Sequence, residues 1–321
     1  MIEGKKIFIT GGAGFIGTAL IERLEPDNEI VVYDSFKRNS IQHSPCYHSP
    51  RVKVVRGDVL DAAKLKRAMA GAQLIVHLAA VAGIDTVILS PTSTMRVNIL
   101  GAANVLEAAM QIGGVERLLT FSTSEVFGQV AFRSDERDHA VMGAVGEARW
   151  TYAVSKLAGE HLAHAHYKEF GLPTVVIRPF NIYGPGQVGE GAVHAFITRA
   201  LQGKDLMIHG DGTQIRAWCY VDDMVEAILC SMENPKAVGE SFNIGNSRAV
   251  VTIYGLASAV IRACGSQSQI KYTRKNYADV ELRVPSVKKA KRLLRFEAKI
   301  DLEEGLRRTA EYYRRLLQEG R

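Results

Sequence analysis

Thr10-Gly11-Gly12-Ala13-Gly14-Phe15-Ile16-Gly17 follows a short apolar run and opens a helical pattern, and this stretch decides the predicted fold. Its glycines have the spacing G-x-x-G-x-x-G. In a strand–loop–helix turn the first glycine permits the tight turn, the second lets the backbone approach a pyrophosphate, and the third lets the helix pack against the strand. The helix N-terminus supplies aligned N–H groups for the phosphates. The loop therefore predicts a dinucleotide-binding site.

The residues after the second and third predicted strands bear on the choice of dinucleotide. Asp34 ends the second strand, where a carboxylate accepts hydrogen bonds from the adenosine ribose hydroxyls and repels a 2′-phosphate. This position favours NAD over NADP. Arg38 lies nearby in the sequence and could partly restore NADP binding. Asp58, after the third strand, is expected beside the adenine ring.

Short apolar runs of strand length alternate with helical patterns from the N-terminus to residue 178. Strands that are apolar throughout and separated by helices indicate a parallel sheet covered on both faces. We predict an α/β fold: a doubly wound parallel Rossmann sheet in residues 1–180 and a smaller mixed α/β C-terminal substrate-binding portion in residues 181–321. Residues from about 215 to 250 are expected to return to the first domain.

The predicted strands are Lys6–Thr10, Ile30–Asp34, Val52–Arg56, Leu74–Leu78, Leu118–Ser122, Thr174–Arg178 and Ser241–Gly245. The predicted helices are Phe15–Leu24, Ala62–Ala70, Pro91–Gln111, Thr151–Phe170 and Asp222–Glu233.

Composition and charge limit the classes of partner. The net charge is +6, but the basic residues are spread along the chain, and acidic residues follow the basic run Lys288–Arg295. We therefore expect no nucleic-acid binding. The four cysteines have no C-x-x-C spacing, which favours a reduced cytoplasmic location. The N-terminus has no signal-peptide pattern and no apolar run is long enough to span a bilayer, so no membrane association is expected.

Three histidines in one predicted helix suggest a metal site at first sight. His161, His164 and His166 stand at i, i+3 and i+5, so the third side chain points away from the other two. We therefore predict no metal site.

Tyr152 and Lys156 stand four residues apart in a predicted helix, which places both side chains on one face. Tyrosine ordinarily loses its proton near about pH 10. A lysine ammonium and a positively charged nicotinamide nearby would favour the phenolate and make Tyr152 a base at neutral pH. The pair follows Ser122–Glu125, at the predicted carboxyl end of the fifth strand, where ligands of such sheets bind.

Together these motifs resemble the extended short-chain dehydrogenase/reductase family, and within it the nucleotide-sugar epimerases, dehydratases and decarboxylases. The similarity runs nearly from end to end, as far as Leu302–Leu306. Besides the glycine loop, the residues that carry it are Asp34, Asp58, His77–Ala80, Ser122–Glu125, Tyr152, Lys156 and Arg178–Asn181.

The resemblance implies a role for each matching position. Tyr152 would take the proton of the sugar C4 hydroxyl while the C4 hydride passes to NAD, Lys156 would bind the nicotinamide ribose, and Thr123 would hydrogen-bond the C4 oxygen. Asn181 and Arg216 would hold the diphosphate of a nucleotide-sugar substrate. A homodimer packed through the helix of Tyr152 is implied too. The implied NAD contacts are Gly11, Gly14, Phe15, Ile16, Gly17, Asp34, Asp58, Val59, Leu78, Ala79, Ala80, Tyr152 and Lys156.

Ser124 and Glu125 bear on the reaction that follows C4 oxidation. A 4-keto group acidifies C5 and turns a C6 carboxylate into a β-keto acid that loses carbon dioxide readily. Plain 4-epimerases tend to lack an acid at the position of Glu125, and glucose 4,6-dehydratases typically carry Asp-Glu where this chain has Ser124-Glu125. Thr123–Glu125 and Arg149–Tyr152 resemble the UDP-glucuronate decarboxylases. Such a decarboxylase, with Ser124 and Glu125 in its catalytic set, is the preferred prediction.

One residue departs from the decarboxylase pattern, so other reactions of the family stay open. Decarboxylases commonly have arginine after Tyr183-Gly184-Pro185, where this chain has Gly186. A UDP-sugar 4-epimerase and a nucleotide-sugar 4,6-dehydratase share most of the other residues. A catalytically silent NAD-binding sensor or scaffold is a remote alternative, against which the presence of Thr123, Tyr152 and Lys156 speaks.

Overall fold

A computed structural model describes residues 2–274 and 280–319 of the chain. Its strands, in chain order, are β1 (Lys6–Thr10), β2 (Glu29–Asp34), β3 (Val52–Arg56), β4 (Leu74–His77), β5 (Arg117–Phe121), β6 (Val130–Ser134), β7 (Thr174–Pro179), β8 (Ile182–Tyr183), β9 (Leu206–His209), β10 (Ile215–Ala217), β11 (Cys219–Tyr220), β12 (Ser241–Ile244), β13 (Val250–Thr252), β14 (Ile270–Thr273) and β15 (Leu282–Pro285).

The helices are α1 (Phe15–Leu24), α2 (Ala62–Met69), α3 (Ile84–Leu89), α4 (Pro91–Ile112), α5 (Thr151–Phe170), α6 (Ala192–Leu201), α7 (Val221–Glu233), α8 (Ile253–Cys264) and α9 (Leu302–Gln318). Every strand and helix bound predicted from the sequence agrees with these elements to within one residue.

Seven parallel strands form the central sheet in the order β12-β7-β5-β4-β1-β2-β3. Alternate side chains of β1 enter two cores: Ile7 and Ile9 pack with α1 and α7, and Phe8 packs with α2, α4 and α5. Helices therefore cover both faces, and the predicted doubly wound α/β fold is confirmed. The chain runs from β1 toward β3 on one side and toward β12 on the other. A ligand crevice is thus expected at the carboxyl ends of β1 and β4.

The C-terminal half adds smaller sheets around this crevice. One has the order β13-β10-β15-β6, and the pairs β8–β11 and β9–β14 stand apart from it. Helices α6, α8 and α9 enclose a second apolar core with β9. Strand β12 lies at the edge of the central sheet, and β6, from the first 180 residues, pairs with β15. The two portions therefore exchange strands, and the boundary at residue 180 stays a prediction.

Within residues 2–274 and 280–319, no helix combines the length and the apolar character that crossing a membrane requires.

Helical glycines allow a direct test of the packing between α1 and the phosphate loop. A Cβ on Gly17 would lie 2.6 Å from Cα of Gly12, whereas a Cβ on Gly159 in α5 would lie 3.4 Å from Cβ of Ala102. We expect Gly17→Ala to lower the free energy of unfolding by about 1–3 kcal/mol, because the backbone must shift. Gly159→Ala is the matched control, and helix propensity should leave it unchanged or raise it by up to about 1 kcal/mol. Urea denaturation that ranks the two variants equally would contradict this.

Candidate active site

A cleft of about 550 Å³ lies at the carboxyl ends of β1, β2 and β4. It extends from the glycine loop to the helix that carries Tyr152 and Lys156. The structure thus brings together, around one cleft, every cofactor contact expected from the sequence. These lining residues are Gly11, Gly14, Phe15, Ile16, Gly17, Asp34, Asp58, Val59, Leu78, Ala79, Ala80, Tyr152 and Lys156.

The glycine loop fits a pyrophosphate. A Cβ on Gly11 would lie 2.5 Å from the backbone nitrogen of Ala79, so only glycine allows the turn to lie this close to the end of β4. Gly14 precedes α1 and has no side chain to cap it, which leaves the N–H groups of the first turn free to bind an anion.

Asp34 is held by the backbone around it. Its Oδ2 accepts a hydrogen bond from the Ala13 amide at 3.0 Å, and its Oδ1 accepts one from the Phe36 amide at 2.7 Å. Burial raises the pKa of this carboxyl, and the two amides oppose the rise. The remaining lone pairs can accept ribose hydroxyls, as the sequence predicts. Arg38 points elsewhere: its Nη2 donates to the Ala82 carbonyl at 2.8 Å.

Tyr152 and Lys156 line the cleft from α5, and Thr123 hydrogen-bonds the tyrosine. Burial, and next the charge of Glu125, raise the pKa of Tyr152 to about 12, although Thr123, Arg38 and Arg283 act against the rise. Burial lowers the pKa of Lys156 to about 8, opposed by Glu160. At neutral pH the protein alone therefore holds a neutral phenol and an ammonium. The phenolate needs the further positive charge of a nicotinamide.

Glu125 forms an ion-pair cluster behind Tyr152. The Arg149 guanidinium binds it with two bonds, Nη1 to Oε2 at 2.6 Å and Nη2 to Oε1 at 3.1 Å. Nη1 of Arg283, from β15, lies 3.6 Å from Oε1. Thr123 and Ser124, just before Glu125, are buried. Sequence reasoning assigned no role to Arg149 and missed Arg283, because β15 joins the site only through its pairing with β6 and β10.

A second buried ion pair holds α5 in place. Glu160 lies one turn beyond Lys156, and its carboxylate pairs with Arg178 of β7 at 2.8 Å. The Ser241 hydroxyl, from β12, donates to the same carboxylate at 2.6 Å. Helix α5 is thus fixed to two strands of the central sheet.

The two residues expected at the substrate diphosphate contact backbone in this structure. The Asn181 amide donates to the Ala217 carbonyl at 2.9 Å, and Nη1 of Arg216 donates to the Ile215 carbonyl at 2.9 Å. Neither is among the described residues that line the cofactor cleft. Their role at a substrate stays a prediction.

Comparison with known proteins agrees with this geometry. Residues 7–245 match the NAD dependent epimerase/dehydratase family. The chain belongs to this family. It is an NAD-dependent enzyme of the nucleotide-sugar epimerase, dehydratase and decarboxylase type, so the family, the cofactor and the enzyme class expected from the sequence are confirmed.

Individual relatives cover the family's range of reactions. The chain is 32% identical to a UDP-N-acetyl-alpha-D-glucosaminuronate decarboxylase of Bacillus cytotoxicus, over 97% of this chain and 98% of that protein. It is 32% identical to UDP-glucuronic acid decarboxylase 1 of Xenopus tropicalis, over 98% and 74%. A UDP-glucuronic acid 4-epimerase structure from Bacillus cereus, with UDP-glucuronic acid and NAD, superposes with a TM-score of 0.87 at 28% identity, over 97% and 99%.

Replacing the buried ammonium of Lys156 should raise the free energy of unfolding and abolish activity. In the folded protein the pKa of Lys156 is about 8, below its ordinary value of 10.5. Below about pH 8, keeping this lysine charged therefore lowers the free energy of unfolding by on the order of 3 kcal/mol. Lys156→Met should therefore unfold at higher urea concentration at pH 7 and lose turnover. Its advantage should shrink as the pH rises from 8 to 10.5, because in this range folded wild-type protein has lost the proton that the unfolded chain still holds, so wild-type stability rises with pH. Lys168→Met, an exposed position of α5, is the control. A pH-independent gain for Lys156→Met would contradict this pKa assignment.

Proposed function

We propose that this chain decarboxylates a UDP-linked uronic acid of the UDP-glucuronate type after transient oxidation at the sugar C4. The observation that carries the proposal is the pair of arginines at the catalytic tyrosine. Arg149 binds Glu125 with two bonds, and Arg283 lies beside the same carboxylate. A guanidinium group is a preferred partner of a substrate carboxylate.

Arg283 offers a substitute for the arginine that decarboxylases commonly carry at the position of Gly186. The Gly186 backbone has φ of 78°, a conformation that arginine adopts only with strain, and its carbonyl accepts the Ser40 hydroxyl at 2.7 Å. We assign carboxylate recognition to Arg283 of β15, whose buried guanidinium group also donates to the Gly128 carbonyl at 2.8 Å. Its charge acts on the Tyr152 hydroxyl, which supports a position beside the reacting sugar.

The first half-reaction uses the residues on α5 and after β5. Tyr152 takes the proton of the C4 hydroxyl, Thr123 hydrogen-bonds the same oxygen, and the Lys156 ammonium favours the phenolate. NAD, held by the residues that line the cleft, would supply the acceptor for the C4 hydride, so that the sugar becomes a 4-keto sugar with its carboxylate at C6. Buried Lys156 and the ion pair of Glu160 with Arg178 keep these groups in place.

The second half-reaction breaks the C5–C6 bond. Its electron pair moves into the 4-keto group as an enolate, and carbon dioxide leaves. A proton then adds at C5, the hydride returns to C4, and Tyr152 returns its proton to the C4 oxygen. Arg283 orients the carboxylate, Ser124 offers a hydroxyl at the same end of β5, and Arg149 holds Glu125 in a fixed orientation.

Two curated relatives with decarboxylase names support this choice over the alternatives. The epimerase that binds UDP-glucuronic acid keeps a 4-epimerase as the second candidate, because that reaction also needs a carboxylate contact. A dehydratase would use an acid to expel the C6 hydroxyl, and Glu125 is committed to its ion pair with Arg149. Thr123, Tyr152 and Lys156 lie together, which argues against a silent sensor.

The assembly and the location are part of the proposal. Apolar side chains remain exposed on the paired helices α4 and α5, and a homodimer through this surface would cover them. The thiols of the four cysteines are unpaired, which supports a reducing, cytoplasmic compartment. The exposed apolar side chains are Leu100, Met110, Val154, Tyr167 and Phe170.

UDP-glucuronate labelled with ¹³C at C6 tests the reaction and the arginine together. The NAD-loaded enzyme should release labelled carbon dioxide and UDP-pentose in equal amounts, followed by NMR. Arg283→Met should lower kcat/KM by about 10- to 100-fold, the effect of losing a hydrogen bond to a charged group. Its binding of UDP-glucose, which has no carboxylate, should not change.

Arg292→Met, on the exposed surface, is the matched control and should keep wild-type turnover. UDP-galacturonate as the product would establish the 4-epimerase instead. Unchanged substrate alongside turnover of UDP-glucose would show that the enzyme does not use a uronic acid.

A further inference from the structure

Arg38 reaches across the cofactor cleft from one side to the other. It follows β2, and its Nη2 donates to the carbonyl of Ala82, which follows β4, at 2.8 Å. In the central sheet β1 lies between β2 and β4. A side chain that spans from the end of β2 to the end of β4 therefore passes over the end of β1, where the glycine loop stands.

This placement determines what Arg38 would contact. The glycine loop and the first turn of α1 bind a pyrophosphate from below. Arg38 lines the same cleft, and its guanidinium group is hydrogen-bonded to the loop after β4. We propose that Arg38 is a cofactor-binding residue that closes over the pyrophosphate of NAD, so that the phosphates lie between the α1 N-terminus and a guanidinium group.

The segment around Arg38 is built to hold that position. The Ser40 hydroxyl donates to the Gly186 carbonyl at 2.7 Å, which fixes the loop after β2 to the loop after β8. A Cβ on Gly189 would lie 3.2 Å from Nε of Arg38, so the backbone of that loop packs directly against the guanidinium group.

Glu190 joins the same segment to the third side of the cleft. Its carboxylate accepts the backbone N–H groups of Asp85 and Thr86 at 2.8 and 3.0 Å, at the start of α3. The loops after β2, β4 and β8 thus meet above the cleft, and we call residues 38–40, 82–86 and 186–190 the cofactor roof. Arg38 is the part of the roof that carries positive charge toward the phosphates.

The position of Arg38 suits a contact with the pyrophosphate and does not suit recognition of the 2′-phosphate of NADP. A residue that binds a 2′-phosphate must lie beside the ribose hydroxyls, where Asp34 holds its carboxylate against the Ala13 and Phe36 amides. Arg38 instead makes its hydrogen bond at the far side of β1. Arg38 therefore contacts the pyrophosphate that NAD and NADP share, and Asp34 determines which of the two cofactors binds.

Binding measurements on cofactor-free protein test the proposal without any sugar substrate, so the result does not depend on the proposed reaction. Calorimetry compares wild type with Arg38→Ala for NAD, ADP-ribose and adenosine, the last by competition. We expect Arg38→Ala to weaken NAD and ADP-ribose about 10- to 100-fold, as a lost charge-assisted contact does, and to leave adenosine unchanged. The dissociation rate of NAD should rise in proportion.

Arg292→Ala is the matched control, because this arginine is exposed and lies outside the residues that line the cleft. It should change each affinity less than twofold, and Arg38→Lys should fall between wild type and Arg38→Ala. Wild-type affinity of Arg38→Ala for NAD would overturn the proposal. Equal weakening of adenosine and ADP-ribose would overturn it in favour of a role at the adenosine. Loss of NADP binding alone would overturn it in favour of 2′-phosphate recognition. Thermal melts of the cofactor-free variants check that each is folded.

Discussion

The close contact between the β1–α1 turn and the end of β4 is the constraint on which this active site depends. Gly11 lies so near Ala79 that no side chain fits between them, and Gly17 packs against Gly12 in the same turn. The contact brings the N–H groups of α1 to the point where the sheet order changes direction. Such a point suits the phosphates of a dinucleotide, and the cleft extends from it to Tyr152 and Lys156 of α5.

Buried charges at that end are held by specific partners. Glu160 pairs with Arg178 one turn beyond Lys156, and Glu125 pairs with Arg149 near Tyr152. A buried charge without a partner is strongly destabilising, so each pair also fixes the orientation of its element. Burial keeps Tyr152 a neutral phenol until further positive charge arrives. In the proposed reaction, proton transfer by Tyr152 therefore depends on the positive charge of the oxidised cofactor.

Local patterns in the sequence were sufficient for the sheet, its helices and the cofactor cleft. The glycine loop, Asp34 and the pair Tyr152 and Lys156 each carry their signal within a few neighbouring residues. Arg283 had no such signal, because it reaches Glu125 only after β15 pairs with β6, more than 140 residues earlier in the chain. Arg38 was placed near the ribose because sequence distance does not say in which direction a long side chain extends. Gly186 likewise marked a missing arginine, but no local pattern pointed to Arg283, to which we assign the role of that arginine.

Deuterium at C4 of UDP-glucuronate tests the central claim, transient oxidation at C4 by a cofactor that stays bound, most directly. The hydride leaves C4 and returns to it within one site, beneath a roof formed by three loops. NMR of the UDP-pentose product formed in ordinary water should therefore show deuterium retained at C4. A product with protium at C4 and deuterium lost to water would contradict this mechanism.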